Sequence, residues 1–198
     1  ASTSGTIITV DHCILIKQAY SVMSLFDLVD IWLIFTNNTA VSSSGYGIKI
    51  SENGAIGTFS NNTAHSCSNN GLYQTGDISN SILTSTKIWR NDAYGYYQAG
   101  TLINVTFDGM EIFGNTTSNC FLTTNIIDCT FINLQSNSDT SFGTTNGLHM
   151  VALGNDQVFL MSFLNSKFST VSGIKTAHNT DIFFQTYNYL TQIVANKC

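Results

Sequence analysis

Short apolar runs alternate with polar ones along the chain, and between Gly47 and Phe131 the alternation repeats every 24 residues. Phe59, Leu83, Phe107 and Phe131 form one column of this repeat. Gly47, Gly71 and Gly95 form a second, and Ile48, Leu72, Tyr96 and Cys120 form a third. Ile88 with Ile112, Trp89 with Phe113, Asn91 with Asn115, and Asn80 with Asn104 and Asp128 keep the same interval. A fixed period between roughly 20 and 50 residues marks a solenoid, whose units bury their apolar faces only by stacking on one another. Each unit holds three short runs with the period-two alternation of strands, clearest at Gly95 to Gln98, Leu102 to Phe107 and Met110 to Phe113. Gly, Asn and Asp separate them, residues that tolerate the positive φ of tight turns. The pattern predicts three-sided coils of short strands stacked about 4.8 Å apart.

Outside the strict region the pattern is looser. Gly5 to Val10 and Cys13 to Ile16 read as the closing strands of a first, partial coil. Val22 to Thr36 alternates and ends in Phe35-Thr36-Asn37-Asn38, which returns as Phe59-Ser60-Asn61-Asn62. After Phe131 the start of the repeat moves from Cys120 to Gly147 and then to Gly173, with an insertion expected in Gln135 to Asn146. Asp181 to Ala195 reads as one more coil. About seven to eight coils result, a rod of roughly 35 Å. If Ile48 and Ile50 point inward, Lys49, Tyr73 and Tyr97 form an outward row continued by Leu122, His149 and Lys175. Gln74 and Gln98 then face inward as an amide ladder or sit at a corner. Leucine-rich repeats share the period, but only Leu25 to Asn38 approaches their motif. An antiparallel sandwich has no reason to repeat at this interval.

Composition supports the stacked reading. Proline is absent, 10% of residues are charged, and Asn, Ser and Thr supply about a third of the chain. Amides and hydroxyls in register hydrogen-bond along a stack without like-charge repulsion. With 43% hydrophobic residues the chain can build a core, which excludes disorder. A net charge of -5 with seven scattered basic residues argues against nucleic acid as a partner. The longest apolar stretch, Val22 to Phe35, contains Asp27 and Asp30, so no direct membrane span is expected. The chain begins at Ala1 with no leader or cap, and residues 1–198 read as a single β-helix domain from a longer protein. The five cysteines, Cys13, Cys67, Cys120, Cys129 and Cys198, form no CxxC pair. Cys120 lies in an apolar column and is expected to be a buried free thiol.

These columns resemble the right-handed parallel β-helix superfamily, the fold of pectate lyases, phage tailspikes and many surface adhesins. The fold class implied is all-β, a right-handed parallel β-helix with a period of 24 to 27 residues. Gly54-Ala55-Ile56 followed by Phe59-Ser60-Asn61-Asn62 is also similar to the repeats of polymorphic outer-membrane adhesins and of protist surface β-helices. The resemblance implies an extracellular, cell-surface or virion-surface location.

In a stack, residues one period apart become neighbours, so candidate sites are read down the columns. Tyr73 over Tyr97, with His149 further along, either offers sugar rings an aromatic platform or only stabilises the sheet. Asp108 and Glu111 are the close acidic pair of the repeat region, and Glu111 falls over Lys87, which makes a surface ion pair of about 0 to 1 kcal/mol the plain reading. Asn179-Thr180-Asp181 is similar to the first polygalacturonase motif, but that family's later motifs are absent. Asp30-Ile31-Trp32-Leu33 resembles a pectate lyase motif without its His. His12, His65, His149 and His178 are scattered, so no metal site and no cofactor is expected. Asn37, Asn61, Asn104 and Asn115 begin N-glycosylation sequons. The sequence therefore points to a structural or adhesive module that self-associates, meets other surface proteins or binds glycans. A polysaccharide-cleaving hydrolase or lyase, as in a tailspike, is the alternative.

Overall fold

The computed structural model describes residues 6–16, 23–25, 31–51, 55–122 and 126–137, together with short strands between 146 and 194. Side chains are described for 7–16, 32–51, 57–122 and 126–136, about four turns of a β-solenoid. The chain passes in turn through three parallel sheets of eight strands each. In a typical turn, Ile78–Thr84 lies in the first sheet, Lys87–Trp89 in the second and Tyr94–Gln98 in the third. Each pairs in parallel with the strand one coil on: Leu102–Asp108, Glu111–Phe113 and Ser118–Leu122.

The period-two pattern is the inward and outward alternation of these strands. Phe35, Phe59, Leu83, Phe107 and Phe131 form a buried column down the first sheet, with Phe107 and Phe131 stacked at 4.6 Å and Phe35 and Phe59 at 5.1 Å. Ile48, Leu72, Tyr96 and Cys120 form the corresponding column of the third sheet, and Ile88 and Ile112 that of the second. The Tyr96 hydroxyl is satisfied by donating to Gln98 Oε1 at 2.6 Å.

Positive-φ residues fall in three columns along the stack. His12, Asn37, Asn61, Ser85, Gly109 and Asn133 turn the chain from the first sheet into the second, and Ser42, Ser66, Arg90 and Gly114 turn it out of the second. A left-handed residue other than glycine costs about 1–2 kcal/mol, least for Asn, whose short amide bonds locally. Here the amides bond along the stack: Asn61 Nδ2 donates to Asn37 Oδ1 at 2.6 Å, and Asn37 Nδ2 to Asp11 Oδ1 at 2.8 Å. The third column, Asn80, Asn104 and Asp128, lies inside long strands of the first sheet. It works as a bulge. One left-handed residue lets Ile78 and Ser81, Leu102 and Val105, or Ile126 and Cys129 all point inward although three positions apart.

Buried asparagines tie the coils from within. Asn62 Oδ1 accepts from the backbone and side-chain nitrogens of Asn38 at 3.0 and 3.2 Å. Asn115 Oδ1 accepts likewise from Asn91 at 3.1 and 2.9 Å, while Asn91 Oδ1 accepts from Cys67 N at 3.0 Å. The glycine column has a steric cause. A Cβ on Gly71 would strike Ile88 Cγ2 and Asn91 Nδ2, and one on Gly95 would reach Asn119 O at 2.6 Å. Gln74 and Gln98 do face inward, and each caps a turn. Gln98 Nε2 donates to Gly100 O at 2.6 Å and Gln74 Nε2 to Gly76 O at 3.1 Å.

Thr6–Asp11 and Ile14–Ile16 are the two closing strands expected of a first coil, paired with Ile31–Thr36 and Thr39–Val41, and Met23–Leu25 opens the next repeat by pairing with Ile48–Ile50. Other expectations change. Leu122 is buried, and Phe121 is the register partner of Tyr97, so the outward row continues through Phe121. Gly147 does stand beside the Ser118 to Leu122 strand at the level of the glycine column, but the ladder pairs Leu148 with Val171 and His149 with Ser172. The columns of Cys120 and Phe121 therefore run on through Val171 and Ser172. Gly54, Asp27, Asp30, Gly173, Lys175, His178, Asn179, Asp181, Cys198 and residues 138–145 of the expected insertion lie outside the described residues.

Cys67, Cys120 and Cys129 are buried free thiols, as Cys120's column implied. Burial pushes the Cys120 thiol up to about 12 and the Cys129 thiol up to about 11. Asn91→Ala is expected to lower stability by about 1–3 kcal/mol, because it strands the Cys67 and Asn115 polar groups that it bonds, whereas Asn61→Ala at the surface costs less. Urea denaturation of both variants checks the difference. The fold keeps both thiols protonated while the unfolded chain ionises them near pH 9.0. Stability is thus full below that pH and falls as pH rises toward 11 and 12. Replacing Cys120 and Cys129 with Ala should flatten this alkaline limb.

Candidate functional surface

In the third sheet Ile48–Ile50 and Leu72–Gln74 bury both ends and present the middle residue, and Tyr94–Gln98 and Ser118–Leu122 end in the same pattern, so one outward row runs along the sheet. Lys49, Tyr73, Tyr97 and Phe121 occupy it in consecutive coils. His149 follows Phe121 in register. Tyr46 and Tyr94 join the row from the edge, and five rings become contiguous. Tyr46 stacks on Tyr73 at 4.4 Å and 15°, and Tyr94 on Phe121 at 4.6 Å and 22°. Tyr97 lies between them at 5.1 Å from Tyr73 and 5.2 Å from Phe121, canted by 40° and 39°. The Lys49 ammonium caps one end, 5.5 Å from the Tyr46 centroid and 5.9 Å from that of Tyr73.

Coil spacing near that of stacked rings decides what this face can do. Tyr46 and Tyr73 each cover one face of the other. Tyr97 is tilted against Tyr73, Tyr94 and Phe121 and so interrupts the parallel stacking. Partial burial and the neighbouring phenols push the Tyr73 hydroxyl up from its ordinary pKa, helped by a hydrogen bond with Tyr46.

The second sheet carries a parallel array. His65 stacks on Trp89 at 4.3 Å and 12°, and Trp89 faces Phe113 at 6.0 Å and 6°. Beside it runs a polar row in which Lys87 Nζ bonds Glu111 Oε2 at 2.8 Å, the neighbour pair that the period implied. The same ammonium lies 5.9 Å from the Trp89 ring and 5.6 Å from Phe113. Asp108 accepts from Asn133 Nδ2 at 3.0 Å. The two acids flank one corner, but each carboxylate is engaged along the stack with a different partner. Among the described residues no group of three or more His, Cys, Asp and Glu is placed to hold a metal ion.

The sequons divide. Asn61 and Asn104 are exposed and Asn37 is partly so, with Asn104 Nδ2 donating to Asn80 Oδ1 at 2.8 Å. Asn115 is fully buried in the amide ladder, donating to Asn119 Oδ1 at 3.0 Å, so a sugar there is incompatible with this packing. Reading columns missed Tyr46, Tyr94 and His65. Tyr46 and Tyr94 occupy a turn column shared with Asn70 and Ser118, which carries no aromatic consistency. The signal for His65 was its interval to Trp89, the interval of the Trp89 and Phe113 column.

No family model and no curated relative matches the sequence. Among solved structures, the Dettilon tailspike protein superposes with a TM-score of 0.56 at 13% identity, over 83% of this chain and 42% of its own. Pectate lyase Pel9A superposes with a TM-score of 0.48 at 13% identity, over 99% of this chain and 67% of its own. The chain thus spans less than half the length of the tailspike it matches. The tailspike likeness shows the fold, a parallel β-helix.

Burial against Trp89, and then the Arg90 charge, hold the His65 imidazole below its ordinary 6.5. The unfolded chain takes up this proton first, so the His65 contribution is complete above pH 6.5 and declines as the solution is acidified. The ring is only part-buried, which keeps the effect under about 1 kcal/mol. His65→Phe, which preserves the stack, should reduce the difference between urea midpoints at pH 8 and pH 5.

Proposed function

We propose that residues 1–198 are one structural and adhesive β-helix domain of an extracellular, cell-surface or virion-surface protein. Its third-sheet face would contact glycans through Tyr97, Tyr73 and His149. The contiguous five-ring array on that face carries the reading. Rings locked to their neighbours across successive coils make a preorganised surface, which loses little side-chain entropy on binding. The canted Tyr97 gives a pyranose ring a face for CH-to-π contact, and the tyrosine hydroxyls give hydrogen bonds at their edges. Outward rows of amides and hydroxyls suit contact with other copies or other surface proteins. Exposed Asn61 and Asn104, and the less exposed Asn37, are the sequons that can carry attached sugar in the folded state. The activity needs no cofactor. No helix among the described residues is long and apolar enough to cross a membrane.

A polysaccharide-cleaving reading rests on Asp108 and Glu111, which flank one corner. Both carboxylates already have partners, Asn133 and Lys87, which favours the structural assignment.

A panel of neutral and acidic polysaccharides, scored for binding and for cleavage, separates the two. Retention of at least one glycan with no cleavage is expected, and Tyr97→Ala should weaken it about tenfold, the loss of roughly 1.4 kcal/mol. Cleavage that vanishes in Asp108→Asn or Glu111→Gln would establish the enzyme reading instead. Unchanged binding in Tyr97→Ala would move the glycan site off the third sheet.

A further inference from the structure

Four of the chain's eight tyrosines, Tyr46, Tyr73, Tyr94 and Tyr97, meet in the outward array of the third sheet. One pair differs from the rest. The rings of Tyr46 and Tyr73 are nearly parallel, at 15°, with centroids 4.4 Å apart. Nearly parallel phenols at this spacing lie ring against ring, which brings the carbons ortho to each hydroxyl within reach of the other ring. Tyr97 is canted by 40° to Tyr73 and by 60° to Tyr94, which removes that alignment. Tyr94 stacks instead on Phe121, which has no phenol to couple.

We infer that Tyr46 and Tyr73 form an oxidative crosslinking site, at which a peroxide-dependent one-electron oxidant joins two consecutive coils through a carbon–carbon bond between the rings. Each phenol gives up one electron and its hydroxyl proton and becomes a phenoxyl radical. The two radicals couple at facing ortho carbons. The hydrogen on each of those carbons then moves to the phenol oxygen and restores aromaticity. The pair loses two hydrogens in all, and one hydrogen peroxide is reduced to two waters. The rings are already in contact, so coupling is intramolecular and competes well with joining of separate chains. The product is a covalent tie between successive coils, set beside the backbone bonds that already join them. The inference does not depend on what the surface binds.

The test treats the purified 198-residue protein, at low concentration, with a haem peroxidase and hydrogen peroxide. Dityrosine fluorescence and peptide mass spectrometry are the readouts. The expected product is a monomer that has lost two hydrogens, with the crosslink mapped to Tyr46 and Tyr73. Tyr46→Phe keeps the stacked ring but removes a phenol, and should bring the monomeric crosslink to background. Tyr94→Phe should leave the yield unchanged. Unfolding the protein in urea before oxidation should scatter the product over other tyrosines, including Tyr20 and Tyr187. The inference fails if the monomeric crosslink survives in Tyr46→Phe, if it maps to Tyr97, if only joined chains form, or if the urea-unfolded chain gives the same product.

Discussion

Everything in this fold depends on one constraint: each coil must lie directly on the next so that parallel strands can exchange backbone hydrogen bonds. Ile48 pairs with Leu72, Leu72 with Tyr96 and Tyr96 with Cys120, and the other two sheets run in the same register. A position is therefore judged less by its sequence neighbours than by the residue one coil away. Gly71 and Gly95 are glycine because the next coil occupies the space a Cβ would need. Asn38 and Asn62 are tolerated in a dry interior because each amide completes the other across the coil spacing. Even the left-handed corners obey the rule, recurring at φ values between 48° and 67° in coil after coil.

The same spacing governs the surface. Aromatic side chains placed in register are driven face to face, as Tyr46 is with Tyr73 and His65 with Trp89. Such stacks contribute about 0.2 to 1 kcal/mol per pair to the sheet. They also withdraw ring faces from solvent. An outward aromatic row on a β-helix is thus first a stabilising device, and it becomes a ligand surface only where a ring departs from the stack. Tyr97 departs because Tyr94 enters from the adjoining position at 5.3 Å and 60°, leaving no room for a parallel arrangement. Lys87, held by Glu111 and lying over Trp89 and Phe113, shows the opposite outcome, a cation used up within the row.

Much of this was legible in the sequence because two periods, two residues and 24 residues, together specify which side chains point inward and which of them touch. The buried phenylalanine column, the outward Tyr73 and Tyr97, the free thiol of Cys120 and the Lys87–Glu111 pair all follow from those periods. What escaped lies where backbone geometry breaks them. Asn80, Asn104 and Asp128 align as a column, but only their positive φ reveals a bulge that turns two residues inward. Leu122 was read one place out of register, an error that exchanges core for surface because the strand period is two. The sequon at Asn115 looks like the other three over three residues, yet its neighbour Asn91 one coil back makes it a ladder rung.

The placement of the buried amides shows how strict the accounting is. At the corner after the first sheet, Asn38 and Asn62 are followed by Thr86, Met110 and Leu134, so the column turns from polar to apolar along the rod. At the corner after the second sheet the order reverses, Cys67 preceding Asn91 and Asn115, with Asn119 closing the ladder at 3.0 Å. Asn70 is buried too, in the coil of Asn62, and its Oδ1 accepts from Tyr94 N at 3.1 Å. Each of these amides gives a backbone nitrogen of a neighbouring strand an acceptor that it would otherwise lack in the interior: Asn38 N bonds Asn62, Cys67 N bonds Asn91 and Asn91 N bonds Asn115. The ladder thus passes from one corner to the other along the rod. At the hand-over, Asn91 meets an acceptor at Asn115 on one side and the Cys67 backbone on the other.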